Sequence, residues 1–91
     1  MSHLAGANAD LIARVRRIAG QAAAVERSLR DEADCATVLH LVAAVRGAVS
    51  GLLDEIIAQH LEAHVAQPGL TDQERAEGAA ELLAAIRRYS K

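Results

Sequence analysis

The sequence has almost no aromatic residues: Tyr89 stands alone, with no Trp and no Phe. It has one proline, Pro68, one cysteine, Cys35, and little bias of charge, with a formal net charge of −2. Each scarcity excludes something. A lone cysteine rules out an internal disulfide. A near-neutral balance means that any nucleic-acid binding must rest on a local patch. With no proline before position 68, nothing of that kind interrupts a long helix. The apolar content, 52% of the chain, is therefore aliphatic (Ala, Leu, Val and Ile), which suits helix packing but offers few bulky groups to fill an interior. At 91 residues such a chain is expected to form one domain, 1–91, and to complete its burial against a partner subunit. The first residues lack a basic stretch followed by an apolar run, and no apolar stretch is expected to span a bilayer. The expectation is a soluble, cytoplasmic protein with no membrane partner.

What is present points to an all-α fold. Leu11, Val15, Ile18, Ala22, Val25 and Leu29 recur at spacings of four and three, predicting a first helix with one apolar face and Asn8 as its N-cap. Arg30, Asp31 and Glu32 end that stripe, and Asp31 or Asp34 can cap the next helix. This second helix is predicted from about Asp34 to about Val65. It is apolar on more than one face, with Val38, Val42, Val45, Val49, Leu52 and Ile56 in one row and Leu39, Leu53, Ile57 and Leu61 beside it. Such a helix must be buried nearly all round. Ala43, Ala44, Gly47, Ala48 and Gly51 at its middle predict a place where another helix comes close. After Pro68-Gly69, the run Thr71-Asp72-Gln73-Glu74 matches a capping box and opens a third helix to about Tyr89, with Ala79, Leu82, Leu83 and Ile86 on its apolar side.

Two kinds of residue could carry chemistry. His60 and His64 stand at i and i+4, so both imidazoles project from one helix face, a spacing that can clamp one metal ion. The plain alternative is a pair of surface histidines near a helix end. Cys35 lies almost a whole number of turns away on the same helix but ~37 Å distant, too far to share an ion within one straight helix. Two copies of the helix packed head to tail would bring Cys35 of one chain to His60 and His64 of the other, and a two-fold axis would make two such sites. Taken alone, Cys35 could equally be a small buried apolar residue. His3, in the N-terminal segment, could close over Cys35; His40 has no ligand companion at a helical spacing. One thiolate with several imidazoles suits Ni(II), Co(II) and Zn(II) better than Cu(I).

The basic feature is Arg14, Arg16 and Arg17, with no acidic residue between Asp10 and Glu26. Arg14 and Arg17 share a face, Gln21 extends it by a turn, and Arg46 adds a cation on the second helix. The plain reading is a solvated charged face; multiplied over an oligomer, the same patch could engage several phosphates. No helix-turn-helix pattern is present. Nor is there a paired-carboxylate, nucleophile–base or phosphate-loop constellation, so an enzyme is not expected.

The segments Arg14-Val15-Arg16-Arg17-Ile18-Ala19-Gly20-Gln21, Asp34-Cys35-Ala36, Val42-Ala43-Ala44-Val45-Arg46-Gly47-Ala48-Val49-Ser50-Gly51-Leu52 and His60-Leu61-Glu62-Ala63-His64 resemble the CsoR/RcnR family of metal-sensing repressors. The resemblance covers nearly the whole chain. It implies a dimer of dimers built on an antiparallel helix pair, binding double-stranded operator DNA in the apo form, released by metal and controlling metal efflux genes. The set His3, Cys35, His60, His64 resembles the nickel/cobalt branch, with Zn(II) as a further candidate. The copper sensors have cysteine where this chain has His64. The formaldehyde sensors, which would use Cys35 as a nucleophile, usually carry a proline after the initiator methionine and a glutamate at the last ligand position; here these are Ser2 and His64. Arg14 and Arg17, then Arg16 and Arg46, carry over as DNA contacts.

Overall fold

The computed structural model describes residues 8–89 and contains three α-helices, with no strand among the described residues: α1 (Asn8–Arg30), α2 (Cys35–His64) and α3 (Asp72–Tyr89). His3 lies outside the described residues. The three-helix architecture with a long middle helix is as expected, and the helix ends show why it arises.

α1 closes in a Schellman turn. The Ala33 N–H donates to the Ser28 carbonyl at 3.0 Å and the Glu32 N–H to the Leu29 carbonyl at 3.3 Å, with Glu32 in the left-handed region at φ 55°. Of the two capping candidates, Asp34 starts α2. Its carboxylate accepts the Thr37 hydroxyl at 2.5 Å, and this bond, with a further one from the Thr37 backbone, holds the Asp34 carboxyl below the usual range. α3 opens in the expected capping box: the Glu74 N–H donates to Thr71 Oγ1 at 3.0 Å and the Thr71 N–H to Glu74 Oε1 at 2.9 Å. The Thr71 backbone bond, then the Thr71 hydroxyl, lower the Glu74 carboxyl below its ordinary value. A lowered folded-state value contributes stability that is present at neutral pH and lost as pH falls through it. The start of α3 is therefore expected to fray below the ordinary glutamate range. Thr71→Ala should cost about 1 kcal/mol and weaken that acid response. A stability–pH profile equally steep in Thr71→Ala would contradict this.

The described residues divide within α2 into two compact units, one holding α1 and α2 up to Leu53, the other α2 from Asp54 onward and α3. In the first unit, Leu11, Ile18, Gln21, Ala24, Val25 and Ser28 of α1 are turned inward along with Val38, Leu41, Val45 and Ala48 of α2. This rotates the expected stripe, since Val15, Ala22 and Leu29 are exposed. Gln21, one turn beyond Arg17, is half-buried, and its Oε1 has no hydrogen-bond partner among the described residues. In the second unit, Arg75, Gly78, Leu82 and Ala85 form the inner face of α3, whereas Ala79, Leu83 and Ile86 face outward.

Burial is sparse. Leu11, still 8% exposed, and Gly78 are the two buried residues among those described, and no residue of α2 is buried. Leu39, Val42 and Val49 are 63%, 48% and 47% exposed on one side of α2. Together with Cys35 and Arg46 they follow spacings of four and three, the repeat of a helix face that meets another helix. One expectation fails here: α2 is long and apolar enough, by length and composition, to cross a membrane. Between Cys35 and Leu53 a single charged residue, Arg46, interrupts the apolar stretch.

Candidate metal centre and DNA-contact residues

Cys35 is the first residue of α2 and is exposed. Asp34 and Thr37 fix the turn that presents it. At the other end of the same helix, the His60 and His64 rings lie with centroids 4.8 Å apart and planes tilted at 44°. The i,i+4 pair thus holds two imidazoles on one face, as its spacing requires.

The His60 ring is oriented from α3. Its Nε2 lies 3.1 Å from the Gly78 carbonyl oxygen. A carbonyl can only accept, so Nε2 carries the hydrogen, and the neutral ring has its lone pair on Nδ1. Glu81 Oε2 is 3.6 Å from the same nitrogen, beyond hydrogen-bonding distance. Gly78 meets the second histidine too. A Cβ at this position would lie 2.8 Å from the carbonyl carbon and from the Cβ of His64. Arg75 completes the junction by donating to the Val65 carbonyl. A cavity beside His64 is bordered by Glu74, Glu77 and Glu81.

Two imidazoles and an exposed thiol are donors of the kind that borderline divalent ions take. Among the described residues of one chain, no group of three or more His, Cys, Asp or Glu is placed to hold an ion. His60 and His64 are brought together; Cys35 belongs to the other compact unit. Neither periodicity nor motif spacing singled out Gly78, Glu81 or Arg75. The one available signal was a glycine in the middle of α3, flanked by Glu77 and Ala79, where helix propensity disfavours it.

Arg14 and Arg17 border a cleft of about 160 Å³ with Ile18, Gly47, Ala48 and Gly51. A Cβ on Gly51 would meet Arg14 Nη1 at 3.6 Å, so this small-residue stretch receives an α1 side chain of its own chain. A Cβ on Gly47 would meet nothing within 4 Å, so among the described residues no second helix comes close at this stretch. Arg16 is exposed, and Arg46 lies beside Leu39, Val42 and Ala43 on the outer side of α2. Among the described residues, none of these four arginines forms an ion pair, whereas Arg30 sits 3.5 Å from Glu26. His40 is exposed.

Residues 7–88 match a family described as metal-sensitive transcriptional repressors. The chain is 43% identical over 91 residues, all of both sequences, to an uncharacterized protein of Serratia marcescens encoded 5′ of bioA. It is 42% identical over 77 residues to the transcriptional repressor RcnR of Salmonella arizonae, covering 85% of this chain and 83% of that one. Among solved structures it is similar to a glutamate-to-histidine variant of the formaldehyde-responsive regulator FrmR from Salmonella enterica serovar Typhimurium. That likeness has a TM-score of 0.86 at 38% identity and covers 97% of this chain and 99% of the other.

Proposed function

This chain belongs to the metal-sensitive transcriptional repressor family, whose members are repressors and not enzymes, and from that premise we propose that it is a cytoplasmic Ni(II)/Co(II) sensor that binds operator DNA in the apo form. Metal releases it and derepresses efflux genes. The observation that carries this reading is the close His60–His64 pair at one end of α2, with the exposed Cys35 at the other. Two α2 helices packed antiparallel along the exposed Leu39, Val42 and Val49 side would set Cys35 against His60 and His64 of the partner subunit, giving two shared sites per dimer. A second dimer would then make the tetramer. Covering that side also answers why so apolar a helix carries no fully buried residue in one chain.

Bound Ni(II) or Co(II) would supply a cationic centre that draws donors from different segments to one point. The protein's part is to give up the Cys35 thiol proton and to present the His60 lone pair on Nδ1, with Nε2–H held by the Gly78 carbonyl. His3 is proposed as a further ligand, pinning the N-terminal segment and α1, which bears Arg14 and Arg17. Arg14, Arg17 and Arg16 are proposed to contact DNA phosphates, and Arg46, which shares the α2 side turned to the partner helix, to reach them only by extending its long side chain out of that seam. Metal and DNA then oppose each other reciprocally.

The test is an anaerobic titration of the reduced apo protein with Co(II) and Ni(II), followed by absorption and by the anisotropy of labelled operator DNA. The expected result is thiolate-to-metal charge transfer saturating at one ion per chain, weak d–d bands for Co(II), and loss of DNA binding. In His3→Ala, the same titration should leave the protein on DNA; unchanged release removes His3 from the pathway. Intense tetrahedral Co(II) bands would assign Zn(II) instead. A second reading has support of its own, since Cys35 is exposed and the chain is similar to a formaldehyde-responsive regulator. There the thiol would add to the formaldehyde carbonyl. DNA release by formaldehyde, with no thiolate band for either metal, would establish that reading and exclude the nickel/cobalt one.

A further inference from the structure

Glycine is among the least favourable residues for a helix interior, yet Gly78 stands in the middle of α3 and is buried there. Two contacts account for it. The missing side chain leaves room for His64: a Cβ would run into its carbonyl oxygen first and would lie 2.8 Å from its carbonyl carbon and from its Cβ. The Gly78 carbonyl, which this close approach brings to α2, lies 3.1 Å from His60 Nε2. One residue therefore touches both members of the histidine pair, sterically at His64 and by a hydrogen bond at His60. A mid-helix carbonyl has two lone pairs and can take the imidazole N–H beside its own helical bond.

We propose that Gly78 is the positioning residue of the histidine pair. Its lack of a side chain lets α3 seat against the end of α2, and its carbonyl locks His60 in the Nε2–H tautomer, aiming Nδ1 at the ligand. The inference rests on the reading of His60 and His64 as metal ligands, but part of it is visible without metal. Neighbouring α3 residues do not share this role: Ala79 and Ala80 are exposed.

The test begins with the wild-type apo protein, whose histidine tautomers are read by long-range ¹H–¹⁵N correlation spectra. His60 should appear as a single Nε2–H tautomer. Averaged tautomers, or Nδ1–H, would overturn the proposal whatever the metal does. Gly78→Ala should then lose the fixed tautomer, change the Co(II) d–d spectrum, and weaken Co(II) binding by roughly 10- to 100-fold, the usual cost of disturbing a ligand's outer hydrogen bond. Ala80→Gly, which weakens the same helix without touching either histidine, should leave the tautomer and the Co(II) spectrum as in the wild type. If Gly78→Ala gives a wild-type spectrum and affinity, or Ala80→Gly reproduces its changes, Gly78 only supports helix packing and the proposal fails. If Co(II) leaves the wild-type His60 and His64 resonances unmoved, the ligand reading fails instead, and the aim at a metal with it.

Discussion

Cys35→Ala and the double variant His60→Ala/His64→Ala are each expected to give no thiolate-to-metal band of wild-type form with Co(II), while the two refolded together regain about a quarter of the wild-type amplitude. The expectation follows from the length of α2. Cys35 opens a continuous 30-residue helix and His64 closes it, so a site using all three donors needs a second chain lying the other way. In a mixed dimer, one site lacks every altered donor and the other has the full set. Random pairing makes half the dimers mixed, each with one intact site of two. Each variant alone should bind Co(II) at least ~100-fold more weakly than the wild type, beyond the range for loss of an outer partner. Absence of recovery in the mixture would place the ligands within single chains. A full charge-transfer band in Cys35→Ala would remove the thiol from the site altogether.

The second large effect is on DNA. In Arg14→Ala the affinity for operator should drop, and the slope of log affinity against log salt should shallow by roughly 0.9 for each phosphate no longer neutralised, summed over the subunits that engage. Metal affinity should not change. Arg14 is chosen because it borders the α1–α2 cleft with Arg17 and has no carboxylate partner among the described residues. Arg30→Ala is the control: its guanidinium already faces Glu26 at 3.5 Å, so its removal should barely move the slope. An unchanged slope in Arg14→Ala, or an equal change in Arg30→Ala, would take the cleft out of the DNA interface.

Much of the fold was legible from local signals. Asp34, Thr71 and Glu74 act as their positions in the sequence suggested, because a cap is decided by residues three apart along the chain. The His60–His64 pair was equally local, since one turn of helix sets it. The inner faces were less so. Val15, Leu29, Leu83 and Ile86 are as apolar as the residues that turn inward, yet they are exposed in the single chain. A periodic pattern says which residues could be covered, not which neighbour covers them. Gln21 is the converse case, a polar residue turned inward that composition would have left outside.

By itself the sequence determined three helices, the caps that open α2 and α3, the i,i+4 histidine pair and the arginine cluster of α1, all consequences of contacts within a few residues. Only the tertiary structure decided the rotation of each helix about its axis, the seating of Arg14 over Gly51, and the seating of Gly78 against His64 with its carbonyl on His60. Those depend on residues far apart along the chain, His60 and Gly78 being 18 positions from each other, where packing and not local propensity chooses the partner.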